Sequence, residues 1–307
     1  MKKSIIIAAV GLLVLAGCGQ SYEESKRISR LQQREAARKD SAALKIAVMP
    51  TLDCLPLFVA EQESLLDTLH GGVRLKMFNA QMDCDTALQR GRVEGAMTDL
   101  VRALRTERMG VKLELTSATN AHWQLVTNRN SRIRQLKQLD DKMVGMTRFS
   151  ATDLLTDRVI DSVKLDGDRV FRVQLNDVKV RFQMLQNNEM DALWMPEPLA
   201  TASRQLKHPV VYDTQKQDLQ LGVMVFRQDE LARKERRKQV DLFLKAYDKA
   251  CDLINQNGVR HYRDLIVKKC MVKPQVADSL PIYIKYERAR SPREQDIALA
   301  EQWNKKH

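Results

Sequence analysis

The sequence predicts an α/β protein built as two lobes, with a C-terminal tail made only of helices. Short apolar or alternating segments are repeatedly followed by segments of helical spacing, the pattern of parallel βαβ units. That alternation comes in two sets, and beyond residue 227 only helical patterns remain.

The N-terminus has the pattern of an export signal. Lys2 and Lys3 form a basic head, and Ile5 to Leu15 an apolar run of about a dozen residues, too short to span a bilayer permanently. It closes in "LAGC" at Cys18, which resembles the bacterial lipobox. That resemblance implies a signal peptide over 1–17 and a lipidated Cys18. A plain secretory signal with a chance cysteine is the alternative. Two or more acyl chains anchor stably where one is marginal. Gly19 stands where an aspartate would mark inner-membrane retention, so the choice of membrane stays open. Residues 18–43 carry the lipidated cysteine and a charged, almost apolar-free tether, helical in part.

The remaining body, within a mature chain of about 290 residues, is long enough for two ordinary domains. The net charge of +12, less the two lysines of the signal, leaves +10. In an exported protein that excess points to an anionic lipid surface or a membrane partner, with no nucleic acid expected. The run "RKERRK" (233–238) reads as the wet face of a helix, with a docking patch as the alternative.

Strand patterns occur in "LKIAVMP" (44–50), "VRLKMF" (73–78) and "AMTDLV" (96–101), separated by helical patterns in "LPLFVAEQESLLDTL" and "DTALQRGRVEG". The second set has "KMVGMT" (142–147), "FRVQL" (171–175), "DALWM" (191–195) and "PVVYDT" (209–214), with helices through "SATDLLTDRVIDSV", "VRFQMLQNN" and from Pro198. After "LQLGVMVFR" (219–227), Val240, Phe243, Leu244, Tyr247, Cys251 and Ile254 mark one helical stripe. Further helices are expected around 264–269, 274–279 and 292–305. With no sheet of their own, they must pack back onto an earlier lobe.

The ordered series "LKIAVMP", "DTALQRGRVEGAMTDLV", "KMVGMTRFSATDLL", "MLQNNEMDALWMPEPLATAS" and "LGVMVFR" resembles the substrate-binding proteins of ABC importers for aliphatic sulfonates, taurine, nitrate and thiamine pyrimidine precursors. The likeness runs from about Leu44 to Arg227. It implies a periplasmic-binding-protein-like fold of type 2, two α/β lobes with a ligand cleft between them and the tail on lobe one. Lobe one is expected over 44–124 plus 223–307, and lobe two over 125–222, with crossings near 122–128 and 219–225. Implied partners are a small-molecule ligand, an ABC permease and its cytoplasmic ATPase, and a membrane reached through the lipid anchor. A monomer is expected.

In open α/β sheets, ligands bind beyond the carboxyl ends of the strands, which independently singles out the residues just past each strand. Asp53 lies past the first, Asp83 past the second and Asp99 past the third. In the second lobe Arg148, Ser150 and Thr152 lie where strand passes into helix. A Ser or Thr there caps free backbone N–H groups that also attract anions, helped by a guanidinium. A simple cap beside a surface charge is the other reading. In "WMPEP", Pro196 and Pro198 fix the chain on either side of Glu197, which presents that carboxylate rigidly at the cleft, and Trp194 supplies an apolar wall. Glu197 as a mere helix cap remains the alternative.

Four acids at strand exits, opposed mainly by Arg148, suit a ligand with an amine or ring nitrogens, such as a taurine-like sulfonate or a thiamine pyrimidine precursor. Removing Cys18 from the five cysteines leaves four, an even number fitting an oxidising compartment. Cys54 and Cys84 end neighbouring strands, and Cys251 and Cys270 flank one helix-loop segment, so disulfides are expected between the members of each pair.

No GxxxxGK phosphate loop, strand-linked GxGxxG, GxSxG, HExxH or CxxC occurs, and the five histidines have no ligand-like spacing. No cofactor, metal or catalytic set is therefore expected. An enzyme on the same fold and a structural or adhesive lipoprotein are the competing readings. The export signal argues against the enzyme, because menaquinone-pathway and thiamine-pyrimidine enzymes of this fold work inside the cell.

Overall fold

The computed structural model describes residues 22–66 and 72–307. The expected signal peptide and Cys18 lie outside the described residues. Two units are distinct, one ending at Ala43 and the other spanning Leu44–His307. Within the first, helix α1 (Tyr22–Ala42) is a strongly charged helix with Ile28 and Leu31 exposed. Among the described residues no helix is long and apolar enough to cross a membrane.

The second unit opens with β1 (Leu44–Val48), α2 (Leu55–Gln62), β2 (Val73–Met77), α3 (Gln81–Gln89), β3 (Gly95–Asp99), α4 (Leu100–Arg108) and β4 (Leu113–Ala118). Then come β5 (Trp123–Thr127), β6 (Lys142–Met146), α5 (Ala151–Val163), β7 (Val170–Gln174), α6 (Val178–Gln186), β8 (Ala192–Pro196), α7 (Leu199–Gln205) and β9 (Val210–Asp213). The chain ends through β10 (Gly222–Arg227), α8 (Gln228–Leu231), α9 (Lys234–Asn257), α10 (Arg263–Cys270), α11 (Pro274–Asp278) and α12 (Glu294–Lys306).

Two five-stranded sheets result, in the orders β2-β1-β3-β10-β4 and β7-β6-β8-β5-β9. In each, four strands run in one direction and the returning strand, β10 or β5, runs antiparallel to both its neighbours. Strands β3 and β8, central in their sheets and covered on both faces, are buried throughout.

The period of two sorts β1 between two cores. Ile46 and Val48 face the apolar side chains of α2 and α9, where Phe226 meets Phe243 edge-on at 5.9 Å, while Ala47 faces the cluster containing Cys84, Leu88 and Leu100. The tail stripe is buried as its spacing required, at Val240, Phe243, Tyr247, Cys251 and Ile254.

The chain passes from one sheet to the other between β4 and β5 and returns between β9 and β10. The two crossings touch: Thr119 N–H donates to Gly222 O at 3.0 Å, and a Cβ at Gly222 would collide with Thr119 Oγ1 and Ala121 Cβ. Glycine is required there by close approach.

Away from the crossings the lobes also meet. Leu52 N–H donates to Glu197 O at 3.0 Å, and Ala80 forms an isolated antiparallel bridge with Asp177. The tail is shared between lobes. Trp303 of α12 donates its indole N–H to Asp157 of α5 at 2.5 Å, Asn304 Nδ2 donates to Val101 O of α4 at 2.9 Å, and Gln205 of α7 donates to Gln275 O of α11 at 2.7 Å.

The cysteines correct the expectation of disulfides. Cys54, Cys84, Cys251 and Cys270 are all buried free thiols. Cys54 belongs to the core on the α9 side of the first sheet and Cys84 to the core on the other side; the field of Cys84 reaches the Cys54 thiol, but the two are not bonded. Cys251 turns toward Tyr247, whose phenol hydrogen-bonds it, one helical turn away on α9.

Candidate functional site

Between the lobes lies a cavity of about 90 Å³, enough for several water molecules. The first lobe contributes Thr51, Asp53, Gln81, Thr98 and Asp99; the second contributes Thr147, Ser150, Thr152, Arg181 and Glu197; the crossings add Asn120 and His122. Of the residues expected from strand exits, Asp53, Asp99, Ser150, Thr152 and Glu197 thus line one space.

Asp83, Arg148 and Trp194 do not line that cavity. Helix α3 starts at Gln81, so Asp83 falls on its solvent side while Gln81 lines the cavity and Asp85 is buried against Arg102. Arg148 is exposed and borders a different groove. Trp194 is fully buried on the α5 side of β8, donating its indole N–H to Thr156 Oγ1 at 2.9 Å with Tyr212 edge-on at 5.8 Å.

Ser150 caps α5, accepting from Thr152 N–H at 3.1 Å and donating to Thr147 O at 2.7 Å. The space an external anion would take beside Ala151 is met by a carboxylate of the other lobe. Asp99 caps α4 through Arg102 N–H at 3.0 Å and also accepts from the backbone of Ala151. Burial raises its pKa to about 7, against the pull of the Arg102 guanidinium. Burial likewise raises Asp53, whose partial relief comes from Thr51.

Glu197 is engaged locally. Its carboxylate accepts from Thr201 N–H at 2.9 Å and pairs with Arg204 at 2.7 Å, so it fixes the start of α7 while bordering the cavity; the Glu197–Pro198 peptide is cis. His122 is held neutral by burial, with Asp213 and Glu197 pulling the other way, and its Nδ1 has no hydrogen-bond partner among the described residues.

The residue that strand-exit reasoning missed is Arg181. It is 2% exposed in the cavity wall, donating Nε to Leu175 O at 2.6 Å, Nη1 to Trp194 O at 2.9 Å and Nη2 to Thr147 Oγ1. All three acceptors are neutral, and among the described residues no carboxylate pairs with it. Burial lowers its pKa to about 10 although the field of Asp177 opposes that. A guanidinium has five N–H donors, so two remain for a ligand. The signal was in the sequence: Arg181 shares a helical stripe with Val178 and Leu185, both buried.

Among the described residues no cluster of three or more His, Cys, Asp or Glu is arranged to hold a metal. The cavity offers an anion-accepting side at Arg181 and a side of carboxyls at Asp53 and Asp99.

No model of a known protein family matches the sequence, and no curated protein matches it. Solved structures do. The alkanesulfonate-binding protein of Xanthomonas axonopodis pv. citri, bound to MOPS, is 15% identical with a TM-score of 0.73, covering 85% of this chain and 91% of its own. A ligand-binding component of an ABC-type import system from Staphylococcus aureus, with zinc bound, is 18% identical with a TM-score of 0.71, covering 85% and 92%. The nitrate-binding protein of Synechocystis PCC 6803 is 12% identical with a TM-score of 0.67, covering 81% and 74%. The chain has the fold of the periplasmic binding proteins, two α/β lobes facing each other across a cleft.

Proposed function

We propose that this chain is the extracytoplasmic substrate-binding lipoprotein of an ABC importer, anchored through Cys18, which closes its lobes on a small ligand and delivers it to a permease driven by a cytoplasmic ATPase. The observation that carries the reading is Arg181, a buried guanidinium in the wall of a two-lobed cavity, hydrogen-bonded among the described residues only to neutral acceptors. A buried charge without a counter-charge costs several kcal/mol, roughly, and a ligand anion would offset that cost. Solved structures of this fold that bind alkanesulfonates or nitrate support the same class of cargo.

Asp53 and Asp99 then select among anions. A ligand with an amine near its anionic group meets both sides of the cavity, whereas a bare inorganic anion leaves the carboxyls facing it. The site therefore favours a short zwitterion of the taurine type. Calorimetric titration of the chain beginning after Cys18 with taurine, ethanesulfonate, nitrate and the thiamine pyrimidine tests this. Taurine is expected to bind most tightly of the four. Tight nitrate binding would reject the role of the carboxyls, tight pyrimidine binding would reject the role of Arg181, and no binding by any would reject the reading.

A further inference from the structure

A second groove, of about 350 Å³, is bordered by Met82, Asp85 and Gln89 of α3, Arg102 and Arg105 of α4, and Arg148 and Phe149 ahead of α5. Its place in the fold is set by the sheet orders. The crossings leave from β4 and β9, each an edge strand, while α3 comes after β2 and Gln174, another lining residue, ends β7. Both β2 and β7 are the opposite edges. The groove thus lies on the side away from the crossings, where lobe closure brings the two halves together.

Both lobes supply its walls. The Arg105 guanidinium of the first lobe lies over the Phe149 ring of the second, 3.6 Å from the centroid, and Arg102 Nη1 donates to Arg148 O at 3.2 Å. Stacking on a ring uses the face of a guanidinium and leaves its in-plane N–H donors facing outward, the geometry that grips a carboxylate with two parallel bonds. Asp85 is neutralised by Arg102. Three arginines against one aspartate leave two positive charges, and no carboxylate among the described residues pairs with Arg105 or Arg148.

We propose that this groove is a closure-dependent docking site for an acidic segment of a membrane-protein partner, with Arg105 and Arg148 as its carboxylate grips. It rests on the reading that the lobes open and close. Overall basic charge without this geometry would attract acidic chains anywhere. A groove assembled from both lobes lets a partner distinguish the closed state.

The test locks closure chemically, so it does not depend on finding the cargo. Residues 80 and 177 face each other in an isolated antiparallel bridge, a spacing that accommodates a disulfide. The pair Ala80→Cys with Asp177→Cys is oxidised or reduced, and a fluorescein-labelled peptide of six glutamates is titrated by anisotropy. The oxidised form is expected to bind at least 10-fold more tightly than the reduced form. Adding Arg105→Ala with Arg148→Ala is expected to abolish that difference, whereas Arg233→Ala with Lys238→Ala, in the other basic run, leaves it intact. Equal binding in both redox forms, or binding that survives loss of Arg105 and Arg148, overturns the proposal. Arginine-dependent binding to phosphatidylglycerol vesicles without peptide binding overturns it in favour of a lipid surface. Where the lock does not form, the two double substitutions in the unlocked chain still decide whether Arg105 and Arg148 grip the peptide.

Discussion

At the scale of single residues, two buried charges decide how the cavity behaves. Arg181 distributes three hydrogen bonds from one rigid fork, and a lysine offers a point charge that cannot reproduce them. Arg181→Lys is expected to weaken binding of a taurine-like ligand by roughly 10- to 100-fold, on the scale of one charge-assisted bond lost, as read by calorimetry. Asp99 sets a pH dependence. Its folded pKa of about 7 lies above that of an unfolded aspartate, so its contribution to stability is complete below about pH 4 and lost as pH rises through 7. The upper bound is about 4 kcal/mol, from roughly three units at 1.36 kcal/mol each. Scanning calorimetry at pH 5 and pH 8 is expected to show Asp99→Asn gaining on the parent chain as pH rises; parallel curves would mean that Asp99 is not buried as described.

At the scale of elements, helix α12 joins the lobes through α4 and α5. Its Trp303 is nearly buried and bonds Asp157, itself paired with Arg172, and its Asn304 bonds the backbone of α4. Trp303→Ala is expected to cost about 3–5 kcal/mol in urea unfolding, and Trp303→Phe much less, because only the indole N–H and some volume are lost. A cost below about 1 kcal/mol for the alanine variant would mean that α12 is not packed this way. The same scale shows what a sequence discloses. Short apolar or alternating runs mark β1, β2, β3, β6, β7 and β8, and the stripe from Val240 to Ile254 marks α9. Strand β4 lies in "VKLELTS", whose apolar-polar alternation is the same signal, yet it escapes notice because it falls in the stretch leading to the first crossing. Side-chain direction is less legible still. Trp194 and Asp83 are expected at strand exits, yet Trp194 lies inside β8 and Asp83 inside α3, where strand alternation and helix start turn both away from the cavity. Arg181 escapes a search of strand exits because it is a charge lying on an apolar helix stripe.

At the scale of the whole molecule, the two lobes enclose one site between them and form a second surface where they meet. The four described cysteines form no disulfide in that architecture. Burial pushes Cys54 and Cys84 well above the ordinary thiol range and Cys251 up to about 12, which suppresses the thiolate needed for oxidation. Alkylation without reductant in denaturant is expected to label all four body cysteines of the chain beginning after Cys18; two or fewer would restore a disulfide. The central claim is that the closed lobes hold a small ligand. Native mass spectrometry of that same chain, purified gently from its own host, tests it most directly. The account predicts a single small-molecule adduct, lost on mild denaturation and absent from Arg181→Lys; a bare protein mass, together with no thermal shift on adding taurine or the pyrimidine, would contradict it.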